Sequence, residues 1–273
     1  MINLFNLMEV WDFEAFQVLM DRAQTSQVEL VPSLLLGPDW DVREEPGSWH
    51  SLQQLVNRFE VTSIQSLTYG LSLNLTDDFA SNPSWQRRFQ MLSKLGDSLS
   101  CQLFVLGSPG QKKLVPAHGD PSAHQARFRD NCRAMAEWLA PRGILCLEHN
   151  TAAQGAEYVN SLTAIQAVVA DLEACGCANV GINLDTKCLL QEFGDDLPID
   201  ALLADPLLTS RIRSIQVSFD FLNRSCGHAE QDVRQLAQFA AAQQIPISLE
   251  EFGLHPEQLD PFVSRWRALI TGR

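Results

Sequence analysis

Four short apolar runs in the second half of the chain, each leading into a polar or charged side chain, constrain the fold more than any other feature. Residues 143–150 read GILCLEHN, in which Ile144, Leu145, Cys146 and Leu147 run straight into Glu148, His149 and Asn150. Residues 181–186 (GINLDT) end around Asp185, residues 246–251 (PISLEE) end on two glutamates, and residues 214–219 (SIQVSF) fall between them. Such runs suit strands buried on both faces, with the charge where the strand stops. Alternate side chains of a strand face opposite sides. With Glu148, Asp185 and Glu250 directed inward, Cys146, Asn183 and Ser248 lie beneath them. The opposite side is then wholly aliphatic: Leu145 and Leu147, Ile182 and Leu184, Ile247 and Leu249. In SIQVSF the outward residues are Ile215, Val217 and Phe219, so the inward polar group is Gln216.

These inward groups follow one another at intervals of roughly 30 to 40 residues, which fits one strand, one helix and two loops per unit. Upstream, residues 2–7, 27–32, 62–69 and 101–107 supply further candidate strands. Between them, apolar residues recur at helical spacing, as in Phe13, Phe16, Leu19 and Ala23, or Trp85, Phe89, Leu92 and Leu95. Asn82–Pro83 and Asp120–Pro121 each place an N-cap residue before a proline suited to the first helical position. Eight candidate strands alternate with helices over 273 residues, close to the ~250 typical of a closed parallel barrel. The predicted fold is therefore α/β, a (β/α)8 TIM barrel in which residues 1–273 form a single domain.

Composition narrows the functional classes. Hydrophobic residues make up 45% of the chain, which excludes general disorder, and the formal charge is −13. An acidic surface without a basic run repels a phosphate backbone, so no nucleic-acid partner is expected. Seven cysteines, odd in number and scattered through strands and helices, do not read as a disulfide framework, and the CxC of Cys175 and Cys177 has no second pair to complete a zinc ribbon. The amino terminus lacks a basic n-region and no apolar run reaches membrane-spanning length, so a cytoplasmic protein with no membrane partner is expected.

Polar residues at the C-terminal ends of barrel strands usually serve function. Two glutamates and an aspartate gathered there repel one another unless they are protonated or neutralised. A divalent cation resolves the conflict, and carboxylates with a neutral oxygen donor suit Mg²⁺ or Mn²⁺ better than Zn²⁺. The candidate metal ligands are Glu148, Asp185, Gln216 and Glu250. The competing reading pairs each acid separately with a lysine or arginine, Lys187 being the obvious partner for Asp185. Lys187 also admits a Schiff base with a carbonyl substrate at the barrel mouth, with a solvated or salt-bridged lysine as the favoured alternative.

The series LEHN, INLDT, IQVSF and SLEEF, preceded by FVLGSPG, resembles the xylose isomerase-like TIM barrels of the sugar phosphate isomerase/epimerase family. The resemblance is best over residues 101–252 and only architectural before that. In those relatives strands five to eight supply Glu, Asp, His and Glu to one divalent metal, and Glu148, Asp185 and Glu250 fall on three of those positions. Gln216 stands where the relatives usually have histidine, and Cys188 where many have a histidine after the aspartate. The cation is thus held weakly, or not at all, if Gln216 does not coordinate. The resemblance implies an isomerase or epimerase of a small sugar or related polyhydroxylated carbonyl compound, with Glu148 and Glu250 as base and acid in turn. It also implies substrate contacts for Asn150 and for His228, which lies in the loop after the Gln216 strand.

Loss of a β-hydroxyl from the same enediolate would make a dehydratase. A metal-free member that binds a ligand or partner without turnover is the alternative from another class, and Gln216 is its mark. An abasic-site endonuclease would need a basic groove and a histidine-rich multi-metal cluster, against which stand the acidic charge and only six histidines. The expected partner is a small polyol or sugar, with homo-oligomerisation left open.

Overall fold

Eight parallel strands close into a barrel in the order in which they occur in the chain. The structure is a computed structural model that describes residues 2–3, 13–37, 39–42, 50–224, 228–250 and 256–271. The strands are β1 (Ile2–Asn3), β2 (Gln27–Leu30), β3 (Glu60–Gln65), β4 (Leu103–Leu106), β5 (Ile144–Glu148), β6 (Val180–Asp185), β7 (Ile212–Ser218) and β8 (Ile247–Glu250). Ile2 pairs with Val28 on one side and Leu249 on the other, which closes the ring.

Helices follow the strands. They are α1 (Phe13–Ala23), α2 (Pro32–Leu36), α3 (His50–Val56), α4 (Pro83–Leu99), α5 (Pro121–Leu139), α6 (Leu162–Ala174), α7 (Thr186–Phe193), α8 (Ile199–Ala204), α9 (Pro206–Thr209), α10 (Phe219–Leu222), α11 (Ala229–Gln243) and α12 (Pro256–Thr271). Both expected caps form: the Asn82 side chain accepts from Ser84 N at 3.0 Å, and Asp120 accepts from Ala123 N at 2.9 Å. The proline after each cap fills a position whose N–H would have no helical partner. Trp85, Phe89, Leu92 and Leu95 of α4 are buried, as are Phe128, Cys132, Met135 and Leu139 of α5. Each fully buried Leu or Phe of this kind contributes about 1.5–3 kcal/mol. No described helix is long and apolar enough to cross a membrane.

The outward strand residues Leu145, Leu147, Ile182, Leu184, Ile215, Val217 and Leu249 are all inaccessible and form the seam between barrel and helices. The interior is different. Barrels of this type usually fill it with branched aliphatic side chains, yet here Glu29, Ser63, Gln65, Asn183, Ser214, Gln216 and Ser248 are buried inside.

Strand limits moved where local backbone decided them. The strand expected over residues 62–69 spans Glu60–Gln65 instead, because Ser66 takes a positive φ of 55° that ends the extended run. The strand expected from Ser214 starts earlier, at Ile212, and stops at Ser218, whose hydroxyl caps the next turn by accepting from Phe221 N. Beyond Asn3, the remainder of the expected first strand lies outside the described residues, as does Glu251.

Candidate functional site

A cavity of about 280 Å³ opens where the strands end. Its lining includes Glu148, Asp185 and Glu250, the terminal residues of β5, β6 and β8, together with Asn150 and Gln154 from the loop after β5. The opposite wall comes from β3 and β4 and the loops after them, with Gln65, Tyr69, Val105 and Gly107. Ser66 and Ser108 also line it and both hold left-handed backbone, with φ of 55° and 60°. Serine in that conformation costs roughly 1–2 kcal/mol, and such strain concentrates at functional sites.

Glu148 and Asp185 face each other across this space. The Glu148 carboxylate accepts from Asn150 Nδ2 at 2.7 Å and from Asn183 Nδ2 at 3.2 Å. Asp185 caps α7 by accepting from Lys187 N at 2.7 Å. Burial raises the pKa of both acids, and Asp185 beside Glu148 raises the latter further. Among the described residues neither makes an ion pair, so the separate neutralisation weighed above does not occur for these two. Gly107 makes room for the carboxylate: a Cβ there would come within 2.9 Å of Glu148 Oε1.

Lys112 is the cation that sequence reading missed. It is fully buried in a turn after β4, where Nζ donates to Glu148 O at 3.0 Å and Asn150 Oδ1 at 2.7 Å. Its ammonium also sits 5.4 Å from the Phe128 ring centre. Burial lowers its pKa, and the nearby Glu148 opposes that shift. By occupying the Asn150 oxygen, Lys112 leaves the Asn150 amide hydrogens to face Glu148. No periodicity marks it, since it lies in an irregular loop beside the exposed-type Lys113.

Gln216 is held elsewhere. Its Nε2 donates to Glu29 Oε2 at 3.0 Å and to Gln65 Oε1 at 3.2 Å, and its Oε1 accepts from Asn183 Nδ2. The oxygen expected to ligate a cation is therefore occupied inside the barrel, and Gln216 does not line the cavity. Glu29 is the reason. Buried at 1% exposure, it also accepts from Ser63 Oγ at 2.7 Å and Ser248 Oγ at 2.8 Å, which fixes the amide's orientation from below. Burial raises the Glu29 pKa against those donors. A lone charge between Val28 and Leu30 was the available signal for it.

The remaining candidates separate. Asn150 and Glu250 line the cavity, whereas Lys187 does not, although its charge lies close enough to oppose the burial-driven rise of the Asp185 pKa. His228 is exposed and lines a different cavity with Asp195, Asp196 and Asp200. Expected at the mouth, it stands instead at the start of α11.

A cation fits the donor set. Glu148, Asp185 and Cys188 each offer one ligand atom within 4.8 Å of the others, and they form a group that could hold a metal ion. Lys112 is the buried positive charge beside Glu148, but it donates to the Glu148 backbone oxygen and to Asn150 rather than to the carboxylate, which leaves the carboxylate oxygens for a cation.

No protein-family model and no curated protein matches the sequence. Solved structures do resemble it. D-psicose 3-epimerase from Clostridium cellulolyticum H10, solved with D-tagatose, superposes with a TM-score of 0.66 at 14% identity, covering 99% of this chain and 96% of that one. The probable 3-DHS dehydratase AsbF of Bacillus anthracis gives 0.63 at 15%, covering 100% and 98%. The IolI protein with a bound zinc atom gives 0.62 at 13%, covering 99% and 94%. At such identities the likeness is one of fold: the chain has the xylose isomerase-like (β/α)8 barrel, a scaffold used by sugar epimerases and by a dehydratase.

Proposed function

We propose that the protein is a metal-assisted isomerase or epimerase of a small sugar or related polyhydroxylated carbonyl compound, working by proton transfer through an enediolate. The observation that carries this reading is the convergence of Glu148, Asp185 and Glu250, from three different strands, on one cavity. Glu148 and Asp185 would hold the cation, and Glu250 lines the same cavity. When bound, it supplies positive charge beside the substrate's carbonyl oxygen and lowers the cost of removing the neighbouring carbon-bound proton.

The chain's own residues perform the proton transfer. Glu148 takes the proton from carbon, its carboxylate aimed by the amides of Asn150 and Asn183. A base works best when its pKa lies near the working pH; burial raises that of Glu148, and a bound cation would draw it back down. Glu250, arriving from β8, serves the other face. Removal on one face and return on the other inverts the centre, while return to the neighbouring carbon converts ketose to aldose. Tyr69, Val105 and Pro109 form a less polar wall that limits water around the reacting carbon.

The test uses a substrate class rather than one compound. Incubating the protein with a panel of ketopentoses and ketohexoses in deuterated water should introduce deuterium next to the carbonyl, read by proton NMR. Glu148→Gln and Glu250→Gln should each abolish the exchange while circular dichroism shows the fold retained. Full exchange in both variants removes the assigned roles. Exchange accompanied by loss of a β-hydroxyl would assign the chemistry to a dehydratase instead.

A further inference from the structure

Cys188 lies in the first turn of α7, three residues beyond Asp185, and is fully buried. A thiol placed only to fill a core faces apolar neighbours. This one faces acids: Sγ lies 3.0 Å from Asp185 Oδ2, 3.3 Å from Gln154 Oε1 and 4.0 Å from Glu148 Oε1. We propose that Cys188 is a ligand of the metal centre, as its thiolate, and that it turns the site from a magnesium-type to a zinc-type cation. The proposal rests on the metal-assisted reading of Glu148 and Asp185 and deepens it.

The spacing fits. With metal–sulfur and metal–oxygen bonds of about 2.3 and 2.1 Å, tetrahedral ligands place sulfur and oxygen about 3.6 Å apart. The two observed sulfur–carboxylate distances fall on either side of that value, so shifts of about half an ångström would bring both donors into place. The need for such a ligand also has a visible cause. β7 places Gln216 level with Asp185, and both ends of its amide are engaged by Glu29, Gln65 and Asn183. The centre is left with donors from β5, β6 and β8, and Cys188 is the donor near enough to add to the Glu148 and Asp185 carboxylates. Magnesium prefers six oxygens, several of them water, whereas a thiolate with carboxylates suits zinc, cobalt or cadmium. The preference for Mg²⁺ or Mn²⁺ inferred from oxygen donors alone is thereby reversed.

The step balances simply. The thiol loses one proton to solvent, a sulfur–metal bond forms, and nothing is oxidised or reduced.

The test is spectroscopic and independent of turnover. Metal-stripped, reduced protein is titrated with Co²⁺, and the near-ultraviolet thiolate-to-cobalt charge-transfer band is followed alongside calorimetry. The expected result is a band in the wild type that disappears in Cys188→Ser and Cys188→Ala, with cobalt still bound through the acids. Zn²⁺ affinity should fall about tenfold or more in those variants, and Mg²⁺ affinity should not. X-ray absorption of the zinc-loaded wild type should give one sulfur neighbour at about 2.3 Å, a reading that survives if a variant fails to fold. Cobalt bound without the band, or a band that persists without Cys188, overturns the ligand assignment and leaves the acid-held metal standing. No cobalt bound by the wild type, or equal binding by Glu148→Gln/Asp185→Asn, overturns both.

Discussion

Inside the barrel, Glu29 sits among donors supplied by Ser63, Ser248 and Gln216, each within 3.0 Å. At the mouth, Glu148 also accepts two amide hydrogen bonds, but a second acid and a thiol share its space. Both regions are polar, and burial raises the carboxyl pKa in both. They differ in what remains to be done. The inner network spans the barrel and surrounds its acid with hydroxyl and amide groups. The outer cluster keeps like charges together beside an open cavity, a cost that the fold alone does not repay. The contrast separates a polar group that holds the barrel from one that is poised for chemistry, although the two residue types are the same.

Substitution should expose that difference. The largest expected effect is on turnover: Glu148→Gln or Glu250→Gln should lower deuterium exchange on the order of a thousandfold, in protein that still unfolds cooperatively in urea. Glu29→Ala should do the opposite. It strands the donors of Ser63, Ser248 and Gln216, so urea unfolding should show a loss of about 3 kcal/mol, with activity falling only as folded protein is lost. Should Glu29→Ala instead abolish exchange at full stability, the division between the two regions is wrong.

A smaller effect should follow Gly107→Ala, which intrudes on the Glu148 carboxylate. Zn²⁺ affinity by calorimetry should drop about tenfold with little change in melting. The smallest concerns pH. In metal-stripped protein the folded-state pKa of Glu148 lies above its ordinary value of 4.5. A raised pKa contributes stability that is present below 4.5 and lost as pH rises through the folded value. Wild-type stability, read from urea midpoints, should therefore decline over that rise, and Glu148→Gln should flatten the slope.

Much of this was legible in the chain itself. Parity along LCLE and INLD directed Glu148 and Asp185 inward and put Asn183 beneath them, and the fold brings the end of β8 to the same cavity. The caps at Asn82 and Asp120 were legible because capping is a contact between neighbours. Lys112 was not, because an irregular turn has no period to read. His228 was misplaced because its distance from the mouth depends on how α11 begins, which spacing alone does not specify.

Strand period and repeat length by themselves determined a closed parallel barrel with acids at one rim, since both are local properties that every unit repeats. Which atoms those acids meet was decided only by the tertiary structure. Glu29 meets Gln216 across 187 residues and Ser248 across 219, and those bonds turn the glutamine amide away from the rim. The side that a planar amide presents is set by its partners, and partners that distant have no signature in the sequence around either residue.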